Sequence, residues 1–217
     1  MATVRTPPPT QIRPDLWLDN RRALWISRLR ILVVADLHWG YAVSHRAEGN
    51  LLPMWGDEEI AARLASLVAD FQPAEVIWLG DSLHALSGRA AAERYLSGAG
   101  VPTTIVIEGN HDRRWSSAKE PTLRREEYFF HHGNLAPAVP DGAVEVVGHH
   151  HPAVTWYDGA GGRLKLPALV DAPRRLIMPA FSPWAAGTPW NSQRRADETL
   201  WGISSQRIFK LPPNVTQ

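Results

Sequence analysis

Five short apolar runs in this chain each end in side chains that can bind a metal, and that repeated ending narrows the folds open to it. Residues 30–35 (RILVVA) run into Asp36-Leu37-His38, and residues 75–79 (EVIWL) run into Gly80-Asp81. Residues 103–107 run into Gly109-Asn110-His111-Asp112, residues 128–130 into His131-His132-Gly133, and residues 144–147 into Gly148-His149-His150-His151. Apolar runs of this length between turn-forming residues read as buried strands. In open α/β sheets, sites form at the carboxyl ends of the strands, where loops far apart in sequence converge. Eight of the nine histidines lie in or beside these endings, and only His45 stands apart.

The connecting segments complete a fold class. Residues 16–18 and 23–26 flank a polar Asp-Asn-Arg-Arg turn and predict a hairpin. Residues 39–56 read as a polar, Gly-containing loop. Asp57 then stands at an N-cap position, and Ile60, Leu64, Leu67, Val68 and Phe71 fall on one helical face that Pro73 ends. Residues 89–96 read as a second helix, ended by Gly98 and Gly100, and residues 113–126 are polar and without a clear period. Further short strands are expected at 153–157, 175–178, 199–203 and 206–210, with a hairpin tip at 159–162 (GAGG). Strand and helix alternate early and strands dominate late, which predicts α/β with mixed sheets.

Composition sets limits around that core. A chain of 217 residues suggests one domain and can bury roughly 70% of the surface it exposes when unfolded. We expect a flexible Pro-rich lead-in over residues 1–14 and a single domain over 15–217. No cysteine is present, so thiolate metal sites and thiol nucleophiles are excluded. There is no apolar stretch of about 18 residues and no apolar leader, so neither a membrane span nor a secretory signal is expected, and a cytoplasmic location is. The net charge of +1 does not by itself point to nucleic acid. Of 23 basic residues 20 are Arg, the better fork for phosphate oxygens, although most Arg pairs are as readily solvated surface charge. Ten Trp residues serve mainly packing; one or two near a site would stack on a base or sugar.

The donor chemistry is that of a paired metal site. Two neighbouring divalent ions need oxygen and nitrogen donors and one carboxylate between them. Asp36 and His38, two apart on an extended segment, fall on the same side, as do His149 and His151, so His150 should point away. Each motif has a plain alternative: a surface pair for Asp36 and His38, a capping turn for Asp81, a chance cluster for the three consecutive histidines. What outweighs those alternatives is the order, with all five endings in succession and each behind an apolar run.

That order resembles the calcineurin-like metallophosphoesterase superfamily, whose pattern runs D-x-H, G-D-x-x-D/H, G-N-H-D/E, a His before Gly, then G-H-x-H. The departure is His84, where the superfamily usually has a second Asp. A His there is similar to a narrower bacterial group, the DNA-ligase-associated (PdeM-like) phosphoesterases, as are VADLHWG (34–40), HRAEGNLLP (45–53), WLGDSLH (78–84) and MPAFSPWAAGT (178–188). The resemblance implies a metallophosphoesterase-type four-layer α/β/β/α sandwich with two mixed sheets. It implies one divalent ion on Asp36, His38, Asp81 and His151, and a second on Asp81, Asn110, His132 and His149, with Mn²⁺ foremost and Fe, Zn, Co or Ni admissible. His132 is taken over His131 because it directly precedes Gly133.

The resemblance further implies that His111 protonates the leaving group or holds a phosphoryl oxygen. Asp112 would orient it or serve as a turn cap, and His84 would support the ligands from behind. Arg113 and Arg114, and after them Arg46 and His45, are candidates for a second phosphate or a nucleic-acid backbone, beside the plainer reading of surface charge. The expected activity is hydrolysis of phosphodiester bonds, as a nuclease or phosphodiesterase of DNA repair, with DNA as a substrate and a DNA ligase or helicase as possible partners. A small-molecule phosphodiesterase or pyrophosphatase is the second reading, and a non-catalytic scaffold of the same fold the third.

Overall fold

The structure, a computed structural model, describes residues 7–118, 120–157 and 160–213. The first sheet begins as an antiparallel meander of β1 (Thr10–Arg13), β2 (Leu16–Asp19), β3 (Ala23–Ile26) and β4 (Ile31–Val34). It continues in parallel through β5 (Glu75–Leu79) and β6 (Thr103–Ile107). Helices α1 (Tyr41–Ala47) and α2 (Gly56–Phe71) lie between β4 and β5, and α3 (Arg89–Leu96) lies between β5 and β6.

The remaining strands build a second mixed sheet. They are β7 (Thr122–Arg125), β8 (Tyr128–His131), β9 (Val144–Val147), β10 (Pro152–Tyr157), β11 (Arg163–Ala172), β12 (Arg175–Ile177), β13 (Thr188–Pro189), β14 (Thr199–Ile203) and β15 (Ile208–Lys210). Among the described residues the order is β13-β10-β11-β12-β9-β8-β7, with β14 and β15 attached beside β11. At its centre β8, β9 and β12 run parallel, as β4, β5 and β6 do in the first sheet. Both sheets therefore send parallel strand ends toward one edge, and a bridge between Ala35 and Ala180 joins them there.

Burial holds the layers together. Leu18, Leu24, Val33, Ile77, Phe130, Val146, Leu169 and Met178 fill the space between the sheets. The outer face of the first sheet, with Leu32, Val34, Val76 and Trp78, packs on Ile60, Leu64 and Leu67 of α2 and Ala92 of α3. Leu64 is fully buried, and truncating it to Ala would cost about 2–5 kcal/mol. On the outer face of the second sheet, Val147, Val154, Val170 and Ile177 are covered by Trp190 and Leu211. The α/β/β/α order is met, with its fourth layer reduced to irregular chain and one helical turn at Asn191–Gln193.

Several local expectations differ from what the chain does. Asp57 does not cap α2; its Oδ1 accepts the Gly40 N–H at 2.9 Å, and the helix starts at Gly56 behind Trp55. Asp57, Glu58 and Glu59 in the first turn still favour the positive end of the helix dipole. Residues 39–56 are not all loop, because Tyr41–Ala47 coil into α1. Thr10–Arg13, inside the expected lead-in, pairs with β2. β7 and the ten-residue β11 were not expected: β7 is short and polar, and Pro167 breaks the β-propensity of β11. Pro167 is tolerated where β11 passes from its pairing with β10 to its pairing with β14. Gly159 of the expected hairpin tip and Met1–Thr6 of the lead-in lie outside the described residues.

Candidate metal centre

The loops after β4 and β5 stay paired beyond the strands. Asp36 N–H donates to Gly80 O at 3.2 Å, His38 N–H to Asp81 O at 3.0 Å and Trp39 N–H to Ser82 O at 2.8 Å. His149 N–H, after β9, donates to both oxygens of Asp36 at 3.0 and 3.1 Å. His111 N–H, after β6, donates to Asp81 Oδ1 at 2.9 Å. The two carboxylates are thus fixed by the backbone of the other motifs.

Glycine makes that approach possible. A Cβ on Gly80 would sit 2.2 Å from His132 Nδ1, and one on Gly109 would sit 2.3 Å from Asp81 Oδ1. Gly80 and Gly109 stand before Asp81 and Asn110 because a neighbouring donor lies over each of them. Backbone strain gathers at the same place. Asp36 (φ 55°), His38 (54°), Asp81 (44°), His149 (66°) and His151 (45°) all adopt the left-handed region. For residues with a side chain each costs about 1–3 kcal/mol, and such strain concentrates at functional sites.

Two donor sets result. In one, His151 Nε2 lies 3.2 Å from Asp36 Oδ1 and 3.5 Å from His38 Nε2. In the other, His132 Nε2 lies 3.3 Å from Asp81 Oδ2, 3.2 Å from Asn110 Oδ1 and 3.1 Å from His149 Nδ1. Asp36, His38 and His151 have ligand atoms close enough to hold one ion, and so do Asp81, His132 and His149. Asp36, His38, Asp81 and His132 are buried, so few waters reach the donors from behind. The donor set is nitrogen and oxygen only, which suits a borderline divalent cation.

The electrostatics have the same sense. Burial pushes the His38 imidazole down to about 4. Burial alone would raise Asp81, but the hydrogen bond and charge of His132 and the His111 N–H outweigh it and bring the carboxyl to about 2. Burial would lower His132 and His151, yet Asp81 and Asp36 beside them reverse it and raise both. The two buried carboxylates thus favour positive charge between the imidazoles.

The other expected residues divide into those at the site and those near it. His111 is partly exposed; its Nδ1 pairs with His84 O at 2.8 Å and its Nε2 lies 3.9 Å from Asp81 Oδ2. Asp112 is buried and accepts from Ser82, Leu83 and Gly109 N–H at 3.1, 2.9 and 3.0 Å. Its oxygens are spent on backbone that ties two loops together, and the His111 ring is oriented by His84 O instead. His131 lies in β8 and pairs with Glu145 at 2.7 Å, away from the donors. His150 points the other way, 3.5 Å from Arg175 Nη2 and beside Trp190. Arg113 and Arg114 are exposed, Arg113 lining a cleft that reaches His132, and Arg46 is exposed on α1 with its guanidinium on Leu52 O at 3.0 Å. The imidazole of His84 stacks on that of His111 at 5.4 Å.

Sequence reasoning named His45 only as a phosphate-facing candidate beside Arg46 and left out the aromatic residues that join it. His45 lies 5.3 Å from His84, centroid to centroid, and Tyr41 lies 4.5 Å from His84. Their signal was faint, because α1 is too short and polar to announce a helix.

The family profile described as calcineurin-like phosphoesterase matches residues 29–175, more than half of the chain. The chain is similar to the solved structure of nuclease MPE from Pseudomonas putida, with 26% identity, a TM-score of 0.74, and 94% of this chain and 99% of that one covered. It also resembles YfcE, a phosphoesterase from E. coli, at 17% identity and a TM-score of 0.47 over 85% of this chain and 99% of that one. No curated protein matches the sequence.

Proposed function

This chain belongs to the calcineurin-like phosphoesterase family, and from that premise we propose that it hydrolyses phosphodiester bonds as a two-metal nuclease or phosphodiesterase of DNA repair. The observation that carries this reading is the place of Asp81. One oxygen is held by the His111 N–H while the other faces His132 at 3.3 Å and His111 Nε2 at 3.9 Å. Asp36, His38, Asp81 and His151 would hold one ion, and Asp81, Asn110, His132 and His149 the other. Mn²⁺ is the ion we propose, and the mixed nitrogen and oxygen donors also accept Fe, Zn, Co or Ni.

When bound, such a pair supplies an activated water and offsets the charge that builds on the phosphoryl oxygens. The protein's own groups do the rest. His84 O can only accept, so His111 Nδ1 carries its hydrogen and Nε2 is the atom that can take up and hand over a second proton. From beside Asp81 it would hand that proton to the leaving oxygen of a phosphodiester bound at the donors. Asp112 holds the loop that carries His111, and His84 fixes the ring from behind. Arg113, Arg114 and Arg46 would meet further phosphates of an extended substrate.

Support for a nuclease comes from the likeness to the Pseudomonas nuclease. A DNA ligase or helicase as partner, and work in the cytoplasm, rest on the resemblance of sequence segments to the ligase-associated group. The test is to load the protein with Mn²⁺ and offer single-stranded DNA, bis-p-nitrophenyl phosphate and nucleotide pyrophosphates. Cleavage of DNA, lost in folded Asp81→Asn and His111→Gln variants, is expected. Turnover of pyrophosphates alone would move the substrate to small molecules, and no cleavage of any ester would leave a scaffold.

A further inference from the structure

A row of rings leads outward from His111. His84 stacks on His111 at 5.4 Å, Tyr41 follows at 4.5 Å from His84 with His45 beside it at 4.3 Å, Trp184 lies parallel to Tyr41 at 5.9 Å, and Trp55 stacks on Trp184 at 4.8 Å. The outer end is open: Trp55 is 44% exposed, and Met54 and Leu51 beside it are 50% and 90% exposed. Large apolar side chains left in solvent next to a polar site mark a contact surface.

The row is held in register with the metal donors. Phe181 N–H donates to Ala35 O at 2.7 Å and Ser182 N–H to Asp36 O at 3.0 Å, which straps the segment carrying Trp184 to the first donor loop. Trp184 is seated over Gly56, where an added Cβ would meet its Nε1 at 2.1 Å. Tyr41 opens α1 directly after Gly40, whose N–H is tied to Asp57 of α2. Two anchored elements therefore present these rings at a fixed distance from Asp36 and Asp81. On the opposite side of the donors, the cleft of about 860 Å³ beyond His149 mixes Arg174, Arg175 and Arg195 with Glu145, Asp197 and Glu198, a poorer match for a polyanion.

We propose that Trp55, backed by Trp184 and Tyr41 in a row that leads to His111 through His84, forms a stacking platform for a nucleobase near the phosphodiester being cleaved. The inference rests on the nuclease reading and deepens it. Stacking suits this geometry because every base has a π-face, so the row can grip a strand without reading its sequence. Arg46, exposed on α1 with Tyr41, would be available to the backbone of that strand.

The test is stopped-flow binding, before turnover, of the full Mn²⁺-loaded chain to a short oligodeoxynucleotide and to the same backbone made of abasic residues. Wild type should bind the base-bearing strand about 10-fold or more tightly than the abasic one, with quenching of tryptophan emission. Trp55→Ala should lose about 5- to 100-fold on the base-bearing strand and little on the abasic one. Trp55→Phe should keep most of the affinity, and both variants should match wild type in melting temperature and metal content. Equal losses on both backbones, or no preference for bases in wild type, would overturn the subsite. A protein that prefers bases yet cleaves no oligonucleotide would uphold the subsite and refute the nuclease reading; cleavage without base preference would do the reverse.

Discussion

Nδ1 of His149 lies 3.1 Å from Nε2 of His132. His132 Nδ1 is 3.2 Å from Leu79 O, which can only accept, so in the neutral ring Nε2 is a lone pair. That lone pair meets Asp81 Oδ2 and Asn110 Oδ1 as well. Several acceptors converging in a buried pocket repel one another unless a cation lies among them. The two carboxylates raise the affinity of His132 for a proton, and a divalent ion would supply more of that charge.

Proton release on metal binding follows. Neutral His is the ligand, and His132 and His151 are raised by their carboxylates, so they keep their protons to a higher pH than a free imidazole does and must release them to bind a metal. Metal affinity should therefore rise as pH rises and those two rings lose their protons, while His38 at about 4 and Asp81 at about 2 are already deprotonated near neutral pH and release nothing. Titration calorimetry in two buffers of different ionisation enthalpy should show protons leaving on Mn²⁺ addition. Proton-neutral, pH-independent binding would contradict the assigned donors.

His111→Gln should lower kcat by about 10²–10⁴-fold while sparing metal content, since a proton donor is lost and no ligand is. Metal analysis together with steady-state rates distinguishes this from Asp81→Asn, which should lose ions as well as rate.

Asp112→Ala should act through stability. Its carboxylate satisfies three buried N–H groups, and leaving them unpaired costs about 1–3 kcal/mol. Denaturant titration checks this. A variant of wild-type stability with a collapsed rate would instead place Asp112 in proton transfer.

Much of this was legible because the apolar runs and their endings are local. β4, β5, β6 and β9 were readable from pattern, and so were α3 and the hydrophobic face of α2. So was the convergence of Asp36, Asp81 and Asn110, since the ends of neighbouring parallel strands in one sheet share an edge, whereas His149 reaches them from the second sheet. What stayed hidden depends on distant partners. β7 and β11 become strands through pairing with β8, β10 and β14, which outweighs polar composition and Pro167. His131 and His132 were told apart only by resemblance, whereas the structure pairs His131 with Glu145. The likeness of residues 178–188 to the ligase-associated group carried Trp184 without saying that it would stack beside Tyr41.

Gly80→Ala tests the crowding behind the donors. An added Cβ would collide with the His132 ring at a backbone φ of 74°, at a cost of about 1–3 kcal/mol. Displacing His132 should weaken metal binding about 10–100-fold. Unchanged affinity in calorimetry would mean that His132 does not serve as a ligand.

The most direct measurement is an anomalous difference map from crystals loaded with Mn²⁺. Two peaks about 3.5–4 Å apart are expected, one among Asp36, His38 and His151, the other among Asn110, His132 and His149, with Asp81 between them. A single peak, or peaks that leave Asp81 uncoordinated, would contradict the paired centre.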